Sequence, residues 1–257
     1  MRNLLSADLF RLRKSALFWG LLLVSAALGA LATIQHVMAQ PHSGHRFPLS
    51  IDFFAYPLLL GFEIAVFIPL FFGAEYSDGT IRNKIALGCS RLSVYLVHLL
   101  VSFGTAVLAS IVYLVPVLAI GIPAFDPMPV DRKTLFLLLL GSLALLAAYC
   151  ALYTAATMNC GRKSSAAVTC LAGMMAVYFL TGGIENRLAY PEYTPYHVDG
   201  TARAVLETIF DLSPVGQSLQ YLWLEAADPA RLALYSLGIT AVATAAGAAL
   251  FRRKDLK

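Results

Sequence analysis

Charge is what this sequence most lacks for a soluble protein. Only 13% of its 257 residues are Asp, Glu, Lys or Arg, against roughly 25% in a soluble domain. Hydrophobic residues make up 59%, and the mean hydropathy is +0.72. A soluble surface needs polar cover, so these figures exclude an ordinary soluble enzyme and a disordered tail. Cysteine is also scarce. The four present, Cys89, Cys150, Cys160 and Cys170, are too few for a disulfide scaffold and fit no zinc spacing. They read as small packing residues. Catalytic motifs are missing as well. There is no G-x-x-x-x-G-K-[ST] loop; Gly161-Arg162-Lys163-Ser164 resembles only its tail. There is no H-E-x-x-H and no G-x-S-x-G. The sequence therefore points to no enzyme, and to no metal or cofactor site in this chain.

What the sequence does have is long apolar runs. Six can cross a bilayer, which takes about 20 residues: Ala16–Ile34, Phe53–Ala74, Tyr95–Ile122, Leu135–Met158, Ala166–Ile184 and Leu232–Phe251. They are continuously apolar rather than alternating, so helices are expected and not a barrel. The expected fold class is all-α, a polytopic membrane protein with six transmembrane helices in a single domain over residues 1–257. The first run follows Arg11, Arg13 and Lys14 and could pass for a signal peptide. It exceeds the usual apolar length of about 7–15 residues, and five more runs follow, so it reads as a retained first helix.

The few charges are sorted. With six spans both termini share a side, and the positive-inside rule puts them in the cytoplasm. Thirteen of the nineteen basic residues then lie inside, in the N-terminal segment, the loops around Arg82 and Arg162, and the C-terminal segment. Ten acidic residues lie outside and four inside. The net charge of +4 is thus the sum of two unlike faces. It suits anionic lipid and does not indicate nucleic-acid binding. Glu63 is the one acidic residue left within the six runs. A charge at mid-membrane costs about 3 kcal/mol, so Glu63 is a candidate for lining a translocation path. A hydrogen bond to a neighbouring helix is the alternative.

Local patterns add detail. Leu5, Leu9 and Leu12 recur at i, i+4, i+7, while Asp8, Arg11 and Lys14 take other faces. An interfacial helix over residues 3–14 is expected. Gln35–Asp52 reads as a solvated outer loop. Its His36, His42 and His45 are not expected to bind metal, because Pro41, Ser43 and Gly44 argue against a converging helix. Pro69 and Pro116 should kink their helices. Gly29 and Ser25 in the first span, and Gly238, Ala241, Ala245, Gly247 and Ala249 in the sixth, allow close helix approach within the bundle or at a dimer seam. In Glu185–Arg231, apolar residues recur at Ala204, Val205, Ile209 and Leu212. They recur again at Leu219, Leu222 and Trp223, beyond Pro214 and Gly216. Two short outer helices are expected, dipping into the membrane boundary or lying on it. Tyr190, Tyr193, Tyr196 and Tyr221 suit that interface.

The inner loop Glu75–Arg91 is the richest segment. Asp78-Gly79 is a turn signal, Thr80 can cap a helix start, and Gly88 can end it. Ile81 and Ile85 share a face, Arg82 and Asn83 are polar, and Lys84 sits toward the C-terminal end, where it suits the dipole. Ser90 can cap the next span. A helix of two turns is too short to stand alone. It needs a partner surface, its own bundle or another protein.

These residues carry a resemblance. Glu75, Gly79-Thr80-Ile81-Arg82-Asn83-Lys84, Gly88, Ser90-Arg91 and Tyr95 resemble the inner loop of permease subunits of bacterial ABC-2 type transporters. Ala7–Lys14, Asp211-Leu212-Ser213-Pro214 and Phe251–Leu256 are similar to other segments of that family. The resemblance implies a six-span permease in the bacterial cytoplasmic membrane, paired with a second permease subunit as homodimer or heterodimer. Two copies of a separate ATPase would bind ATP and Mg, and Glu75 and Gly79–Ile85 would form the coupling helix that docks on them. Importers carry E-A-A-x-x-x-G on the inside. Here Glu225-Ala226-Ala227 is outside and Arg231 stands in place of the glycine, so export is implied. The acidic, aromatic-rich outer segments make a peptide, antibiotic or lipophilic drug the expected cargo. A secondary transporter or channel gated through Glu63, and a sensing or immunity subunit, remain the alternatives.

Overall fold

The computed structural model describes residues 2–43, 46–189 and 200–254, and these are helical apart from short connections. A short N-terminal helix, α1 (Arg2–Lys14), precedes the long α2 (Ala16–Ser43). The next span is made of α3 (Ser50–Phe54) and α4 (Tyr56–Ser77), followed by the short α5 (Thr80–Ala86). Then come α6 (Arg91–Ala124), α7 (Arg132–Asn159) and α8 (Lys163–Ala189). Two short helices, α9 (Thr201–Leu212) and α10 (Pro214–Leu222), lead to α11 (Pro229–Arg253). Among the described residues, six segments are long and apolar enough to cross a membrane: Ala16–Pro41, Ser50–Tyr76, Arg91–Ala124, Arg132–Asn159, Lys163–Leu188 and Pro229–Arg253. Each contains one of the expected runs. The protein is a multi-span, all-α membrane protein associated with a lipid bilayer.

The observed spans are longer than the apolar runs, and the excess has a cause. Runs read from sequence stop at the first polar residue, but the helices continue past it, through exposed residues such as Arg132 and Lys163 and through paired ones such as His36 and Glu75. α2 continues through Pro41 to Ser43, so the first half of the expected loop Gln35–Asp52 is helical. His36 lies on that extension and meets Asp52 of α3 at 2.7 Å. The side chain of His42, and all of His45, Tyr190, Tyr193 and Tyr196, lie outside the described residues.

α4 and α7 form the centre and are the most buried spans, while α8, α11 and α2 are the most exposed. α11 packs chiefly on α7, α2 on α6, and α8 on α4. Small residues set the closest approaches. A Cβ on Gly29 would lie 2.4 Å from the Tyr113 carbonyl oxygen, and one on Gly247 2.6 Å from Ala155 Cβ. These glycines serve packing within the bundle. Ala241, Ala245 and Ala249 instead lie on the exposed face of α11.

α9 and α10 form a helical hairpin with α10 packed into the bundle. α9 buries none of its residues, whereas Val215–Tyr221 of α10 are all buried. Ser218 bonds Tyr149, beyond the midpoint of α7, at 3.1 Å. Non-helical backbone at such depth needs internal partners. Ser213 at the tip caps α10 through the Gly216 N–H and bonds Thr181 at 2.9 Å. Asp211 takes bonds from Gln220 (2.9 Å) and Arg231 (2.6 Å). The Asp211–Pro214 segment is thus the turn and its fastening to α11.

If the α7–α11 contact depends on Gly247, Gly247→Val should destabilise the detergent-solubilised protein by about 1–3 kcal/mol, seen as a lower melting temperature. A Cβ added at Gly238 meets nothing within 4 Å, so Gly238→Val should leave the melting temperature unchanged.

Candidate functional site

The end of the bundle that carries α5 is built around buried charge. Glu75 closes α4 and is 1% exposed; Asp8 of α1 is 2% exposed. Lys84 of α5 lies between them, with Nζ 2.8 Å from Asp8 Oδ1 and 2.9 Å from both Glu75 carboxylate oxygens. Arg11 of α1 makes a second ion pair with Glu75 and stacks over the Phe71 ring, 4.2 Å from its centroid. Two cations therefore balance two carboxylates. His98 of α6, fully buried, closes the cluster. Its Nε2 stands 3.2 Å from Glu75 Oε2 and 3.5 Å from Asp8 Oδ2. Four helices, α1, α4, α5 and α6, meet at this one cluster.

Asp8, Glu75 and His98 also bring three possible metal ligands within 4.8 Å of one another. Lys84 already fills the cation position between the carboxylates, and Arg11 adds a second positive charge. The set works as an internal ionic lock.

Backbone geometry fixes α5 at both ends. Gly79, with φ +67°, is its N-cap, and no side chain caps it. Thr80 is therefore the first helical residue and does not take the expected capping role. At the other end Gly88 has φ +88°. The Cys89 N–H bonds the Lys84 carbonyl (3.1 Å) and the Gly88 N–H bonds Ile85 (2.9 Å), the paired bonds of a Schellman ending. Both glycines occupy left-handed backbone that other residues resist. Ser90 caps α6 as expected, accepting from the Ser93 N–H at 3.1 Å.

The apolar face of α5 belongs to its own bundle. Ile81 is 1% exposed and packs with Val94, Tyr95, Met158, Ala248 and Phe251, with Ile85 beside them. Arg82, Asn83, Ala86 and Leu87 are left exposed, Leu87 by 85%. Arg91 donates to the carbonyls of Phe251 (3.1 Å), Arg252 (3.1 Å) and Lys254 (2.5 Å). It thereby satisfies the orphan carbonyls at the end of α11. Lys254 reaches the Cys160 carbonyl at 2.9 Å, and burial lowers its pKa. Asp255 and Leu256 lie outside the described residues.

Glu63 is not part of this cluster. It stands midway along the Ser50–Tyr76 span, where Ser25 of α2 donates to its Oε2 at 2.5 Å. Oε1 has no hydrogen-bond partner. Contrary to the expectation from sequence, Glu63 is not the single acidic residue in the spans. Asp52 and Glu75 fall within the same span, each buried and paired. The reading missed them because it ended the run at Phe53 and Ala74, leaving both carboxylates in loops. Asp8 was missed for a related reason. Asp8 and Leu12 face inward, while Leu9 is exposed. An acidic residue was assigned to the polar face although its cation arrives from another helix.

Removing Lys84 leaves two buried carboxylates facing one arginine. Lys84→Met should cost about 3–5 kcal/mol. Adding Glu75→Gln restores the charge balance, so the double variant should melt higher than Lys84→Met alone. Thermal unfolding in detergent checks this order.

Compared with protein-family models the chain matches none, and it matches no curated protein. Fold and site together identify it as a multi-span membrane protein with an ionic lock beneath a short exposed helix.

Proposed function

We propose that this chain is the permease subunit of an ATP-driven exporter of the ABC-2 type, working with a separate ATPase. The observation that carries the reading is α5. It is a two-turn helix held by buried ion pairs, yet it presents Arg82, Asn83, Ala86 and Leu87 outward. A helix fastened from below and polar–apolar on its free side is suited to docking another protein. The basic residues gathered at this end support placing it in the cytoplasm.

The proposed mechanism uses the lock as a rigid joint. A partner ATPase would hold ATP and Mg and supply the energy of hydrolysis. Motion of α5 passes through Lys84 to Glu75 at the end of α4 and Asp8 on α1, and through Ile81 to α6 and α11. Those helices shift together, and a path between two permease subunits changes its access. ATP drives this only by binding one of the two states more tightly. Peptides, antibiotics and lipophilic drugs are the proposed cargo.

The docking test should leave the inward residues alone. Native chain captured from its own host membrane should bring down an ATPase with a Walker-type nucleotide loop. Arg82→Glu with Leu87→Asp should reduce that capture at least tenfold without lowering the melting temperature. Undiminished capture by the double variant, or capture of no ATPase by the native chain, would falsify the assignment. A transporter gated through Glu63 would instead work in vesicles without ATP.

A further inference from the structure

Between α2 and α4 runs an open groove of about 460 Å³. Leu17, Gly20 and Val24 form one wall; Val66 and Leu70 form the other, with Glu63 at the Val24 end beside Ser25. The volume lies in the range of small-molecule sites, about 300–1,000 Å³. The walls are apolar and partly exposed, Leu17 by 46%, Val24 by 45% and Val66 by 37%. Glu63 is the one charged residue among those lining it. One carboxylate oxygen holds the Ser25 hydroxyl, and the other has no partner. The terminal torsion of a glutamate is soft, so the carboxylate can turn toward the groove without moving its helix.

We propose that this groove binds a lipophilic amine, with the ammonium on Glu63 and the hydrocarbon along α2. Charge complementarity selects the head group. An unpartnered carboxylate oxygen in an apolar wall lacks a donor, and a cationic N–H group supplies both donor and countercharge. An anionic head would meet the same carboxylate unfavourably, and a neutral alcohol would supply only the hydrogen bond. The groove spans residues 16 to 24 of α2, about 12 Å at 1.5 Å per residue. That length accommodates a chain of roughly ten carbons. Treating the amine as cargo rests on the permease reading; binding it does not.

The test uses the full chain in detergent and tritiated dodecylamine at neutral pH, with dodecanol and dodecanoate as competitors. Native protein should bind the amine saturably, and neither competitor should displace it at equal concentration. Glu63→Gln, which keeps the Ser25 bond, should weaken amine binding at least tenfold. Gly20→Leu fills a position where an added Cβ meets nothing within 4 Å, so it should block the groove without disturbing the bundle. It should abolish binding at an unchanged melting temperature. Equal amine affinity in Glu63→Gln, or displacement by dodecanoate, overturns the proposal. If a second copy covers the groove, the amine finds no site and Gly20→Leu alters the oligomeric mass by light scattering, which also overturns it. Because no ATPase is present, intact amine binding with failed ATPase capture would sink the export reading and leave the groove. The reverse result would do the opposite.

Discussion

A single ammonium group organises the basic end of this protein. Lys84 reaches from a helix too short to be stable alone into a site shared by Asp8 and Glu75. An isolated charge in that interior would cost several kcal/mol, and so would either carboxylate without its cation. Each group is tolerable only while the others are in place. The lysine therefore sets where α5 lies, how α1 is turned and where α4 ends. Arg11 and His98 complete the cluster, and Ile81 adds apolar burial beside it. A short helix in this setting moves with the bundle or not at all.

The central span places three carboxylates at three depths in three different environments. Asp52 meets His36 near one end, Glu63 shares a hydrogen bond with Ser25 midway, and Glu75 lies among cations at the other end. The outer two serve structure because their partners are fixed. The middle one retains an oxygen without a partner and borders a groove. That difference in satisfaction, rather than acidity in itself, separates a structural carboxylate from a candidate ligand-binding one.

Much of the fold was legible because its signals are local. Six apolar runs gave six spans. Gly79 and Gly88 bracketed α5, Ser90 capped α6, and the pattern around Pro214 gave α9 and α10. What was not legible depended on partners far apart in sequence. Asp8 faces inward because Lys84 arrives 76 residues later. Glu75 is inside because three other helices supply its countercharges and neighbours. Ile81 and Ile85 share a face that needed a partner surface, and α6, α7 and α11 supply it, which leaves Arg82 and Leu87 outward. Arg91 and Tyr95 looked like motif letters; they hold the end of α11 and pack against Gly247. Hydrophobic periodicity reports which residues avoid water, and it does not report which buried charges meet.

The claim that α5 is rigidly joined to the bundle is measured most directly by hydrogen exchange of the full chain in nanodiscs. The amides of Asn83–Cys89 should be protected far beyond a free two-turn helix, and should open together with the end of α4. Exchange of those amides at the rate of an unstructured loop, with the spans still protected, would contradict the lock and the mechanism built on it.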